Sequence, residues 1–181
     1  MSLPYALLAL LLDCPSSGYD LNKRFETSVG CFWKASHQQI YRELSKLEQA
    51  GWVEAEHQAQ SGKPDKKIYH LTAIGREELA RWTAQPCDIT PIKEEILVKL
   101  FSGGLVDPTV IRQHLEAHRR QYQGLLALYR TLETTAFPGD VTALTVPDHL
   151  RYLTLRCGIH YATGWIAWCD ESLAYLDSVQ V

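Results

Sequence analysis

Residues 36–51 read Ser36-His37-Gln38-Gln39-Ile40-Tyr41-Arg42-Glu43-Leu44-Ser45-Lys46-Leu47-Glu48-Gln49-Ala50-Gly51. Ser36 followed three residues later by Gln39 has capping-box spacing, in which each side chain satisfies the other's free backbone N–H and a helix begins. Ile40, Leu44 and Leu47 then recur at i, i+4 and i+7 and form one apolar stripe. The opposite face carries Gln38, Gln39, Arg42, Ser45, Lys46 and Gln49. Gly51 closes the helix, because helix C-termini favour a residue that tolerates positive φ.

The flanking segments give this helix a context. Downstream, Trp52 to His57 alternates, with Val53 and Ala55 on one side and Glu54 and Glu56 on the other, which predicts a strand. After the polar loop Gln58 to Pro64, Lys67 to Leu71 alternates again with Tyr69 and Leu71 sharing a face, so the pair makes a hairpin. Thr72 caps a further helix that runs to about Ala84. Upstream, Leu3 to Asp13 is almost continuously apolar and stops at the breaker Cys14-Pro15-Ser16-Ser17-Gly18. Tyr19 to about Ser28 predicts a second helix with Tyr19, Leu21 and Phe25 inward and Asp20, Lys23 and Arg24 outward. Three helices, a two-stranded wing and a helix make a winged helix-turn-helix in a mainly α chain.

Gln85-Pro86-Cys87-Asp88 marks a boundary between a winged-helix domain (1–86) and a helical domain (87–181). Ile92 to Phe101 predicts a short helix closed by Gly103-Gly104. Asp107-Pro108 places an N-cap before Pro at the first helical position, a strong helix start. Ile111, Leu115, His118, Tyr122, Leu125, Tyr129 and Leu132 follow at 4-3-4-3-4-3 spacing, a heptad seam broken once by histidine. That helix is roughly 40 Å long at 1.5 Å per residue, too long for the core of one small domain, so it is expected to lie against a partner subunit. A last helix, from about Pro147 to Asp177, has Leu150, Leu153, Cys157, Tyr161, Trp165 and Trp168 near one side. Gly158, Ala162 and Gly164 in its middle predict close approach of another helix or room for a ligand.

Composition narrows the class of function. A chain of 181 residues with 46% hydrophobic and 22% charged side chains can bury a core and has no signature of disorder. Its net charge of −3 offers no global attraction to nucleic acid, so any DNA footprint must be local. Residues 1–86 hold ten Lys and Arg against ten Asp and Glu. The five cysteines are odd in number and form no C-x-x-C, which fits idle thiols in a reducing cytoplasm. The apolar run Leu3 to Leu12 is too short to span a bilayer and no Lys or Arg precedes it, so a buried first helix and no membrane partner are expected.

Three motifs stand in order: Gly18-Tyr19-Asp20-Leu21; Ile40-Tyr41-x-x-Leu44-x-x-Leu47-Glu48-x-x-Gly51; and Gly62-Lys63-Pro64-x-Lys66-Lys67-x-Tyr69-x-Leu71-Thr72-x-x-Gly75. Together they resemble the PadR family of bacterial regulators over about the first 85 residues. The C-terminal half resembles the larger, Vir-type domain of some members in its architecture. Trp52, where an aliphatic residue is usual, and Lys63, where Arg is frequent, depart from the pattern without endangering the fold. The resemblance implies a homodimer on a two-fold symmetric operator, usually as a repressor. The founding branch represses a phenolic acid decarboxylase and releases DNA when phenolic acids bind.

In a helix-turn-helix the first turns of the third helix enter the major groove, which places Gln38, Gln39 and Arg42 to read base edges. Ser36, Tyr41 and Lys46 suit phosphate, as do the wing residues Lys63, Lys66 and Lys67. The aromatic set Tyr122, Tyr129, Tyr161, Trp165 and Trp168, with His160, reads either as dimer core or as the pocket of a small aromatic effector between the two domains. His114 and His118 have metal-ligand spacing on one helix face, yet no third ligand stands at matching spacing, so they read as seam histidines and no metal or cofactor is expected. No nucleophile elbow, phosphate-binding glycine loop or carboxylate pair appears, which argues against an enzyme. The expected partners are therefore double-stranded operator DNA, a second copy and a small aromatic effector. The alternative is a winged-helix protein–protein adaptor without operator binding.

Overall fold

Pro4 in the first turn opens α1 (Leu3–Asp13), which buries Leu7, Leu8, Leu10 and Leu11 beneath the rest of the N-terminal unit. The computed structural model describes residues 2–28, 33–58, 66–89 and 91–178. They fall into two units, Met1–Ile89 and Thr90–Val181. In the first, α1 is followed by β1 (Ser16–Ser17), α2 (Gly18–Thr27), α3 (His37–Gln49), β2 (Val53–Gln58), β3 (Lys66–Leu71) and α4 (Ala73–Thr83). The core joins the α1 leucines to Leu21 and Phe25 of α2, Ile40, Leu44 and Leu47 of α3, Val53, Tyr69 and Leu79.

The boundaries have local causes. Ser36 accepts from the Gln39 N–H while the Gln39 side chain accepts from the Ser36 N–H, so the expected capping box is present. At the other end Gly51 has φ +71°. Its N–H donates to Glu48 at 3.0 Å and that of Trp52 donates to Leu47 at 2.9 Å, a Schellman motif that satisfies the last carbonyls of α3. Thr72 caps α4 by accepting from the Gly75 N–H, and its hydroxyl is shared between the Gly51 and Trp52 carbonyls at 2.7 and 3.0 Å.

The sheet and α2 both differ from expectation. β2 and β3 pair antiparallel with Ala55 opposite Tyr69, but Ser16 and Ser17 pair along the other edge of β3, giving a three-stranded sheet of order β1-β3-β2. Tyr19, expected inward, is 68% exposed, whereas Leu21, Asn22 and Phe25 are buried. Helical residues two positions apart are separated by about 200° around the axis at 3.6 residues per turn, so Tyr19 and Leu21 cannot share a face.

The second unit is built on two long antiparallel helices, α6 (Pro108–Ala136) and α7 (Val146–Ser178), preceded by α5 (Glu95–Phe101). Asp107 caps α6, its carboxylate accepting from the Thr109 N–H at 2.8 Å. Ion pairs Arg119–Asp170 and Arg156–Glu133 tie the two helices near opposite ends. Part of the α6 seam is covered by α7, while His118, Tyr122, Leu125 and Leu132 are half-buried. Ile111, Leu115 and Tyr129 are buried, with Ile111 and Leu115 packed among Trp165, Cys169 and Leu173 of α7. A Cβ on Gly158 would meet the Tyr129 ring at 3.0 Å, which explains one small residue of α7. Gly164 has open space around it.

α7 carries two apolar faces, and the sequence reading merged them. Ile159, Ala162, Trp165, Cys169 and Leu173 are buried. Leu150, Leu153, Cys157 and Tyr161, expected on the same side as Trp165, are exposed, as are Val146 and Tyr175.

Candidate nucleic-acid interface

α3 presents Gln38 and Arg42 to solvent one turn apart, and its apolar stripe anchors it on α1 and α2. Its first turn is fixed to α2 from below. The amide of Asn22, a residue only 4% exposed, donates to Glu26 at 3.0 Å and lies 2.8 Å from His37 Nε2. His37 in turn lies 3.1 Å from Glu26. The His37 contact, with the Asn22 amide next, holds the Glu26 carboxyl below its ordinary range. Sequence reasoning missed Asn22 and His37, because a polar side chain on the inward face of α2 carries no periodic signal and its contact with the exposed His37 joins two elements.

The predicted contact residues are placed unequally. Ser36 and Gln39 spend their side-chain oxygens on the capping box, Gln39 Oε1 accepting from the Ser36 N–H at 2.8 Å and Ser36 Oγ from the Gln39 N–H at 3.3 Å. Gln39 therefore keeps its amide N–H groups for an outside acceptor, while Gln38 and Arg42 are exposed over their reach. Tyr41 is 45% exposed and lies against the backbone of α2: a Cβ on Gly18 would come 2.5 Å from its ring. This contact joins two motif residues that are 23 positions apart in sequence.

Among the described residues, the candidate lysines Lys46, Lys66 and Lys67 each have an acidic neighbour. Lys46 Nζ lies 3.1 Å from Glu43, Lys66 Nζ 2.8 Å from Asp20, and Lys67 Nζ 2.7 Å from Glu48. Lys67 also sits over the Tyr69 ring, 5.3 Å from its centroid. The Lys66 ammonium, then the Ser17 hydroxyl, hold the Asp20 carboxyl below its ordinary range. Glu48 raises Lys67 above its own. Lys63 lies outside the described residues.

In the second unit Tyr122, Tyr161, Trp165 and Trp168 do come together. Tyr122 stacks on Trp165 with centroids 5.6 Å apart, and Trp168 meets Trp165 edge-on at 5.1 Å. His160 turns to solvent. The histidine against the rings is His118, 4.9 Å from Tyr122 and 5.1 Å from Trp165. Burial lowers the His118 pKa, and its Nε2 is buried without a hydrogen-bond partner. Glu94 accepts from the hydroxyls of both Tyr122 and Tyr161, at 3.5 and 3.3 Å. Burial, more than these contacts, raises the Tyr122 pKa and keeps it a donor. Beside the cluster a cleft of about 350 Å³ opens, lined in part by Glu94, Lys99, His114, His118 and Gln121. Among the described residues no group of three or more His, Cys, Asp or Glu could hold a metal, and no helix is long and apolar enough to cross a membrane.

Comparison with known proteins agrees with these two units. The profile of the transcriptional regulator PadR-like family matches residues 7–81, and that of the virulence activator alpha C-terminal domain matches residues 92–177. A probable transcriptional regulator of Mycobacterium tuberculosis is 40% identical, covering 94% of this chain and 95% of its own. The negative transcriptional regulator PadR of Bacillus subtilis is 31% identical over 97% of both chains. Its crystal structure with operator DNA is similar at a TM-score of 0.85, with 27% identity over 97% of this chain and 99% of that one. Its structure with p-coumaric acid is similar at 0.80, with 26% identity over 98% and 99%.

Proposed function

The chain belongs to the PadR-like family of transcriptional regulators, and from that premise we propose that it binds operator DNA as a homodimer, represses transcription, and is released by a small aromatic effector. The observation that carries the DNA reading is α3, whose capping box and Asn22–His37 contact hold its first turn while Gln38 and Arg42 stand exposed to solvent. Gln suits adenine and Arg suits guanine in the major groove. Gln39 adds amide donors, and Ser36, Tyr41, Lys46, Lys63, Lys66 and Lys67 serve the phosphates. The similarity to the Bacillus subtilis regulator solved in complex with operator DNA supports the DNA-binding reading.

The dimer reading rests on the second face of α7. Val146, Leu150, Leu153 and Cys157 lie exposed along one side of the helix, spaced four, three and four residues apart. Such a stripe is costly in water, and a second copy presenting the same stripe would bury both. The effector reading rests on the cleft beside Tyr122, Tyr161, Trp165 and Trp168. Glu94 would accept from a ligand hydroxyl, His118 Nε2 lacks a partner among the described residues, and Lys99, paired with Glu95 at 2.8 Å, would exchange that partner for a ligand carboxylate. His160 has no part in that geometry.

Footprinting on the DNA upstream of the chain's own gene and its neighbours tests the proposal. The expected result is a protected site with two half-sites about one helical turn apart, cleared by p-coumaric acid. Absence of protection on any upstream DNA would favour the adaptor reading.

A further inference from the structure

The ten-against-ten charge balance of residues 1–86 becomes local in the structure, since each described lysine of the candidate interface already holds a carboxylate. Two of these contacts join elements far apart in sequence. Lys66 and Lys67, adjacent at the start of β3, reach in different directions, one to Asp20 on the first turn of α2 and the other to Glu48 near the end of α3. Asp20 is not free to follow its lysine. Ser17 Oγ donates to its carboxylate at 2.7 Å, and its backbone N–H is bound back to Ser17.

We propose that Asp20 and Glu48 are internal counter-ions of the wing, occupying Lys66 and Lys67 as phosphate surrogates in the free protein and setting the affinity of DNA binding. The proposal rests on the reading that these lysines contact phosphate. Both pairs are about one-third to one-half exposed, at 37%/45% and 35%/36%, so each is weak enough to open. The lysines swing on flexible stems, whereas the acids sit on helices. When an ammonium turns to a phosphate, its former carboxylate stays ionised beside the DNA. Each exchange therefore trades one anion for another and leaves a negative charge near the duplex. A neutral winged helix with paired lysines binds less tightly than its lysine count implies, and equally so for every sequence. Base preference then falls to Gln38 and Arg42.

The test is a double-mutant cycle in the full-length chain, read as Kd for operator and for an unrelated duplex across a salt series. Asp20→Asn and Glu48→Gln are expected to tighten binding to both duplexes, roughly two- to fivefold each, the scale of one exposed ion pair. Each should also steepen the salt dependence, by up to about one unit in the log–log slope. In a Lys66→Met background, Asp20→Asn should no longer tighten binding. If Lys66→Met leaves both affinity and slope unchanged, the phosphate reading itself is wrong. If Lys66→Met weakens binding but neither Asp20→Asn nor Glu48→Gln tightens it, only the counter-ion proposal is overturned. Equal tightening with and without Lys66 overturns it too, because the effect would then be long-range charge. Glu48→Gln keeps the test open should Asp20→Asn loosen the start of α2.

Discussion

A Cβ placed on Gly75 would stand 2.0 Å from the carbonyl oxygen of Trp52. The first turn of α4 thus rests directly on the backbone that leaves α3 and enters β2, and Thr72 pins the same turn through the Gly51 and Trp52 carbonyls. No side-chain rotation relieves that clash, since both partners are backbone. Gly75→Ala is expected to destabilise the N-terminal unit by roughly 3 kcal/mol, the upper range for overpacking, measured by denaturant unfolding. A loss under about 0.5 kcal/mol, the scale of an ordinary surface change, would contradict this packing.

Ser36→Ala removes the acceptor for the Gln39 N–H and is expected to cost about 1 kcal/mol of stability. Arg42→Ala should leave stability almost unchanged, because the side chain is exposed, and weaken operator binding by roughly 1–3 kcal/mol with relaxed preference at one base pair. Unfolding curves and a base-substitution series of operators separate the two effects. An Arg42→Ala protein with unaltered base preference would remove α3 from the recognition role.

What could be read without coordinates was local. Ser36 with Gln39, Gly51, Thr72 and Asp107 signal their caps within a few residues, and the caps form as those signals dictate. The rest depends on contacts made across the chain. Ser16–Ser17 looks like a breaker because its strand partner is β3, about fifty residues on. The candidate interface split the same way. Gln38 and Arg42 follow from helical phase, whereas the Asp20–Lys66 and Gly18–Tyr41 contacts carry no pattern along the sequence. On α7 two apolar faces adjoin, so periodicity alone could not say which one α6 covers. His160 adjoins the aromatic set only along the sequence, whereas His118 reaches the rings from α6.

That second face gives a dimer prediction. Leu153 is 51% exposed, so Leu153→Asp should leave the folded chain intact and convert a dimer to a 20.5 kDa species in sedimentation. Leu115 is 1% exposed, and Leu115→Asp should instead unfold the C-terminal unit, since it buries an unpaired charge. A Leu153→Asp protein that stays dimeric at micromolar concentration would place the interface elsewhere.

His118 is expected to make the C-terminal unit sensitive to acid. Burial lowers its pKa in the folded chain, so below the ordinary histidine value of about 6.5 the unfolded chain binds a proton that the folded chain does not. Stability should therefore be unaffected by this group above about pH 6.5 and fall as pH drops below it. His118→Phe should flatten that part of the stability–pH curve. If wild type and variant run parallel between pH 5 and 7, His118 is not the group that titrates.

The effector prediction draws on the same cluster. A ligand changes DNA binding only if it binds the two states of the dimer with different affinity, so occupancy and release must be measured together. Trp165 and Trp168 are the tryptophans of the C-terminal unit; their rings meet at 5.1 Å, and Trp165 lies 5.1 Å from His118, which lines the cleft. An aromatic acid seated against them should quench tryptophan fluorescence saturably. With p-coumaric acid as probe, saturable quenching and loss of operator affinity are expected over the same concentration range. Trp168→Leu should reduce both while leaving ligand-free DNA binding intact. Glu94→Gln removes a charge beside Tyr122 and Tyr161, and it should favour a ligand whose carboxylate enters that end of the cleft. A negative Glu94 would otherwise force the carboxylate toward Lys99, which makes the direction of the Glu94→Gln effect a report on ligand orientation. Tighter binding would place the ligand carboxylate near Glu94, and weaker binding would place the phenol there as a donor. If p-coumaric acid and related aromatic acids neither quench nor release DNA, the cluster is packing between α6 and α7 and the effector proposal fails.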